Sequence, residues 1–205
     1  SDFWGVAARH WTLTLTDDLA ARIRDGADNA QTRHAAMACL LRHAGDQLPK
    51  IVANLDERGD KGRLADIAIE IARTPPAKDD EEGVTEQAWQ NAIAALPPLY
   101  ADIARAAIAI DAGQAPTLSE STLEFVSTVE TISEEFRLFR MMLVPHGAPA
   151  NESDIMWMLA ASDEKESAVL AVELAHAEGR NHIVEKALQH RFADVVAIAL
   201  RFIAD

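Results

Sequence analysis

Apolar residues recur along most of this chain at the spacing of one face of an α-helix, and the longest such run lies past its middle. Phe125, Val129, Ile132, Phe136, Phe139 and Leu143 step by 4, 3, 4, 3 and 4, a heptad seam. Glu124, Glu130, Thr131, Glu134 and Arg137 fall on the opposite face. Leu118 extends the seam backwards, so a single helix is predicted over about 118–143, roughly 39 Å long at 1.5 Å per residue. Shorter amphipathic segments surround it. The seam is therefore read as the internal spine of a bundle, with a dimer contact as the alternative.

The shorter segments follow the same logic. A short helix is predicted at Asp17–Asp25. One at 29–44 puts Met37, Leu40, Leu41 and Ala44 on one face, and one at 47–57 does the same with Leu48, Ile51, Val52 and Leu55. Residues 62–73 are apolar except for Arg63, Asp66, Glu70 and Arg73. Those four form one stripe, which predicts a mostly buried helix with a narrow wet edge. A helix at 85–96 turns Trp89, Ile93 and Leu96 inward and is ended by Pro97 and Pro98. Others are expected at 99–111, 152–161, 163–178, 181–190 and 192–203. The fold class expected is all-α: an irregular bundle of about ten helices, or a short array of helical hairpins, around the long helix.

Two stretches break the pattern. "WTLTLT" (11–16) alternates apolar and Thr as a strand would, but has no partner strand. Residues 1–16 are read as an extended arm carrying Phe3, Trp4 and Trp11, ahead of a single helical domain over 17–205. "TPPAKDDEEGV" (74–84) reads as an exposed acidic loop. A weak repetition also appears: "LADIAIEIA" (64–72), "YADIARAAI" (100–108) and "FADVVAIAL" (192–200) share a bulky residue, Ala, Asp, then Ile or Val. The spacings give no clean period, so this is a recurring way of starting a packed helix.

Composition agrees with helices: 39 of 205 residues are Ala, the best helix former. The net charge of −14 sits almost wholly in residues 76–205. An acidic surface repels phosphate backbones and anionic membranes, and so disfavours nucleic-acid and membrane partners. It leaves a protein partner of basic character, or plain solubility. Cys39 is the lone cysteine and is expected to be a small buried hydrophobe. No apolar run is long enough for a membrane helix, and no signal peptide opens the chain, so a cytoplasmic location is expected. Arg outnumbers Lys 14 to 5, which with so much Ala suggests a bacterial, GC-rich genome.

Candidate chemistry is sparse. "ELAHAEGRNHIVE" (173–185) holds Glu173 and His176, then His182 and Glu185 in mirror order. Glu-x-x-His is a spacing that helical bundles use for metals. On a helical wheel Glu173 falls within the arc of Val169, Leu170, Val172, Leu174 and Ala177, with His176 beside it, so these two are expected to form a buried polar pair. His182 and Glu185 are expected to face solvent. The halves point to different environments, so no metal and no cofactor are expected, and these four are the only metal candidates. No phosphate loop, G-x-S-x-G or H-E-x-x-H is present. Met141, Met142, Met156 and Trp157 flank the "VPHGAP" loop and are candidates for a partner-binding groove, beside Phe3, Trp4 and Trp11 of the arm. The functional expectation is a non-enzymatic protein–protein interaction module. The alternative is a helical ligand-binding or metal-dependent enzyme domain built on Glu173 and His176. A DNA-binding regulator fares worst, because the first 60 residues are neither basic nor patterned as helix-turn-helix.

Overall fold

The computed structural model describes residues 13–26, 30–77, 83–129, 133–161 and 165–204. These form twelve α-helices and two short 3-10 turns, with no strand among them. The fold is all-α. The chain divides into two compact units, Ser1–Phe139 and Arg140–Asp205.

The first unit holds α1 (Leu13–Asp25), α2 (Ala30–His43), α3 (Leu48–Glu57), α4 (Lys61–Ala72), α5 (Glu86–Ala94), α6 (Pro98–Asp111), α7 (Glu120–Thr128) and the first turns of α8 (Glu134–Met142). Its central helix is α4, which packs against α1, α2, α3, α5 and α6. Asp60 caps α4 by accepting from the Arg63 backbone N–H at 3.2 Å. Every residue from Arg63 to Ala72 is buried. Leu64, Ile67, Ile69 and Ile71 supply bulk on all sides, while Ala65, Ala68 and Ala72 let neighbouring helices approach closely. The indole N–H of Trp89, on α5, donates to Ile71 O at 2.8 Å. Cys39 is buried in α2, and burial pushes its thiol up against the opposing charge of Arg42.

The long helix over 118–143 is corrected. α7 stops at Thr128, Val129 is extended at φ −64° and ψ 130°, and α8 starts at Glu134. Residues 130–132, with Ile132, lie outside the described residues. Hydroxyl side chains that bond the backbone flank the break. Ser127 Oγ donates to Leu123 O at 2.8 Å and Thr128 Oγ1 to Glu124 O at 3.0 Å. Ser133 Oγ then accepts from the Phe136 N–H at 3.3 Å, opening α8 as a cap would. The seam is still apolar and inward: Val129, Phe136, Phe139 and Leu143 are buried, and Phe125 meets Tyr100 edge-on at 5.5 Å.

The arm is corrected where it is described. α1 begins at Leu13, so Leu13–Thr16 are helical rather than extended; a strand pattern without a second strand to pair with yields to the helix that follows it. Phe3, Trp4 and Trp11 lie outside the described residues, as do 78–82 of the acidic loop. The ends of that loop are held together: the Ala77 N–H donates to Val84 O at 2.9 Å, Thr74 and Val84 are buried, and Thr74 Oγ1 donates to Glu70 O at 2.7 Å.

The second unit contains α9 (Glu152–Ala161), α10 (Lys165–Ala177), α11 (Asn181–Ala187) and α12 (Ala193–Ala204). α10 packs against the other three, and α11 against α12. The packing face of α10 is made of small residues, Ala168, Ala171, Val172 and Ala175. The turn into α11 needs Gly179, which takes φ +68°, so that the Arg180 N–H can reach Ala175 O at 2.8 Å. This is a Schellman closure. No helix among the described residues is long and apolar enough to cross a membrane.

Candidate functional site

Glu173 and His176 are both exposed, which corrects the expected buried pair. The wheel weighed Val169, Leu170 and Leu174 as the core face, whereas α10 packs through its alanines, and Leu170 is itself 43% exposed. His176 stacks flat on Phe202 of α12, with ring centroids 4.0 Å apart. His182 turns elsewhere. Its Nε2 meets Glu152 Oε1 at 3.0 Å, while Arg180 takes Glu152 Oε2 at 2.7 Å and Ala150 O at 2.8 Å. The His182 hydrogen bond, against slight desolvation and with help from Arg180, holds the Glu152 carboxyl below its ordinary range. Glu185 is exposed. The two halves of the mirrored motif therefore have different partners. Among the described residues no three His, Cys, Asp or Glu side chains are grouped to hold a metal ion.

The Met and Trp candidates are also separated by environment. Met141 is buried, Met142 is exposed, and Met156 and Trp157 are half-buried. Met156 lines a cavity of about 230 Å³ with Leu159, Ala160, Lys186, Gln189 and His190. His190 Nε2 lies 3.0 Å from Leu159 O in its wall. A second cavity, of about 400 Å³, lies over the first turn of α4, between Gly59–Gly62 and Phe125, Thr128 and Val129. Its carboxylate, Asp60, is committed to capping α4.

A cluster missed from the sequence lies inside the first unit. The stripe Arg63, Asp66, Glu70 on α4 is buried, not a wet edge. Arg63 forks onto Glu70, Nη1 to Oε1 at 2.7 Å and Nη2 to Oε2 at 3.0 Å. It also donates from Nε to Ile23 O at 2.8 Å, and from Nη2 to the same oxygen, placing a cation at the C-terminal end of α1. A Cβ on Gly26 would meet Arg63 Nε at 2.9 Å, and Gly26 has φ +64°, so this close approach depends on glycine. Arg33 of α2 bridges Glu70 at 3.1 Å and Glu135 of α8 at 3.1 Å, and His34 Nε2 meets Glu135 Oε1 at 2.7 Å. Arg73 lies 3.7 Å from Glu135. Each of the two glutamates is engaged by at least two cations, so the cluster clamps helices together and offers no ready place for a ligand. The signal was present in the sequence: a helix with so little polar surface has to be central, and its charges then go inside in pairs.

Burial pushes the Glu135 carboxyl up, but the hydrogen bonds and charges of His34 and Arg33 outweigh it and hold it below its ordinary value of 4.5. A depressed folded-state pKa contributes stability at pH values above 4.5, and that contribution is lost as pH falls through the lower folded value. Urea unfolding from neutral pH downwards is expected to reveal an acid-side loss of stability beginning below pH 4.5, and this component is expected to be missing in Glu135→Gln.

The second unit has its own buried fork. Arg140 Nε lies 2.5 Å from Asp154 Oδ2, and its Nη2 lies 2.9 Å from Oδ1.

The remaining feature is α12. Ten of its twelve residues are apolar, yet only Val195 and Ala199 are buried. Leu200 is 55% exposed and Ile203 50%. Ala193, Ala197 and Ala204 are exposed, and Val196, Ile198 and Phe202 are half-buried. Its two charged residues, Asp194 and Arg201, are both exposed. Asp194 accepts from Lys165 Nζ at 3.0 Å, an interaction that holds the Lys165 ammonium above its ordinary value.

No protein-family model matches the chain, nor does any curated protein or any solved structure.

Proposed function

We propose that this chain is a non-enzymatic protein-interaction module, bacterial and cytoplasmic, whose docking surface is the outer face of α12. One observation carries the reading. A helix with ten apolar residues of twelve normally buries most of its surface, and α12 buries two residues of twelve. Covering the rest of Leu200 and Ile203 would contribute roughly 2 kcal/mol, a meaningful share of a modest affinity. The acidic surface keeps the chain soluble while this face is open. The Met156 groove is a secondary element of the same unit and carries less apolar area.

A photo-crosslinking residue at position 200 tests this in cells that make the full chain, with position 105 on α6 as the exposed control. A discrete protein adduct is expected from 200 and not from 105. Ile203→Glu is expected to abolish the adduct while leaving the melting temperature nearly unchanged, since position 203 is exposed. No adduct from position 200, or equal adducts from both positions, would overturn the reading.

A further inference from the structure

We infer that the occupant of the α12 face is a second copy of this chain, packed antiparallel about a two-fold axis. The inference rests on the docking surface proposed above and names its partner. Ala193, Ala197, Leu200 and Ala204 step by 4, 3 and 4 along α12, and all four are exposed. That is a short helix–helix seam, and its alanines let two helix axes approach closely.

The flanks of the seam choose both the partner and the direction. On one side stand Asp194 and Arg201, seven residues apart and so at the same heptad position. On the other stand Val196 and Ile203, also seven apart. In a parallel pair the flanking positions meet five residues out of step, which would set Arg201 on Val196 of the second copy and leave Asp194 without a cation from it. In an antiparallel pair Asp194, which also accepts from Lys165 of its own chain at 3.0 Å, meets the second copy's Arg201 at both ends, and Val196 meets its Ile203. The same pairing sets Ala197 against Leu200, and Ala193 against Ala204, so small residues face larger ones at the centre of the seam and small face small at its ends. The patch is therefore complementary to itself, the property that an isologous two-fold interface requires.

Sedimentation equilibrium of the full chain, with charge-swap variants, tests this. The wild type is expected to dimerise reversibly. Arg201→Glu sets a carboxylate against Asp194 of the second copy at both ends of the seam, and should weaken the dimer by about tenfold or more. Combining it with Asp194→Arg restores opposite charges and should recover most of that loss. Leu200→Glu should abolish the dimer, with the melting transition of dilute samples retained in each variant. A wild type that stays monomeric overturns the inference, as does a dimer indifferent to Arg201→Glu, or a double variant no better than the single. The crosslink at position 200 separates the two proposals. An adduct of twice the chain mass supports self-association. An adduct of any other mass, from a monomeric wild type, overturns it and leaves α12 as a docking surface for a different protein. No adduct overturns both.

Discussion

Glu70→Ala is expected to lower the stability of the first unit by about 3–5 kcal/mol, the range for removing one partner of a buried ion pair. The loss is large because the carboxylate of Glu70 neutralises two cations at once, forked by Arg63 and met by Arg33. Without it the Arg63 guanidinium keeps only the Ile23 carbonyl, a dipole facing a full charge in a buried setting. Arg33 still has Glu135, so Arg63 bears most of the damage. Replacing the pair together, as Arg63→Met with Glu70→Leu, should recover much of the loss, since well-packed apolar residues of similar volume often match or exceed a buried ion pair. Urea unfolding of the three proteins provides the comparison. A cost under about 1 kcal/mol for Glu70→Ala would mean that water reaches the cluster and that Arg63 is solvated there.

Phe136→Ala should cost about 3–5 kcal/mol, from lost transfer energy and the cavity left behind. Phe136 is fully buried and packs on Phe139 with ring centroids 5.8 Å apart. The cost should be the same at low and high protein concentration, because this part of the seam is interior to the chain. Measuring it in an Arg201→Glu background keeps association through α12 out of the comparison. A stability difference between wild type and variant that grows with concentration in that background would move the seam from the core to a subunit contact.

The helical class, and most helix positions in the first unit, were legible from the apolar period and from the stop at Pro97 and Pro98; the caps Asp60 before α4 and Thr85 before α5 came only with the structure. The heptad count from Phe125 to Leu143 failed as a statement about one helix because it weighs apolar positions and ignores hydroxyls. Ser127, Thr128 and Ser133 flank the break, and such hydroxyls compete with helix hydrogen bonding. The stripe on α4 was found but placed on the wrong side, since charges were assumed to seek water even where the rest of the helix left no outer face. Glu173 was misplaced for the opposite reason: Val and Leu were taken to define the packed face of α10, when closeness to its neighbours came from Ala168, Ala171 and Ala175. The open face of α12 was not legible at all, because an apolar sequence reads as burial and cannot say whether this chain or another provides it.

The buried cluster joins parts of the chain that are far apart in sequence: Arg63 reaches Ile23 across 40 residues, and Arg33 reaches Glu135 across 102. Half assembled, it is a set of desolvated charges without partners, so its members are expected to settle late, after the apolar faces of α2, α4 and α6 have met. An interaction absent from the folding transition state leaves the speed of folding almost untouched and acts on the reverse step. The Arg63–Glu70–Arg33–Glu135 chain is therefore expected to act as a kinetic latch, and its loss in Glu70→Ala should appear chiefly as faster unfolding in urea-jump kinetics.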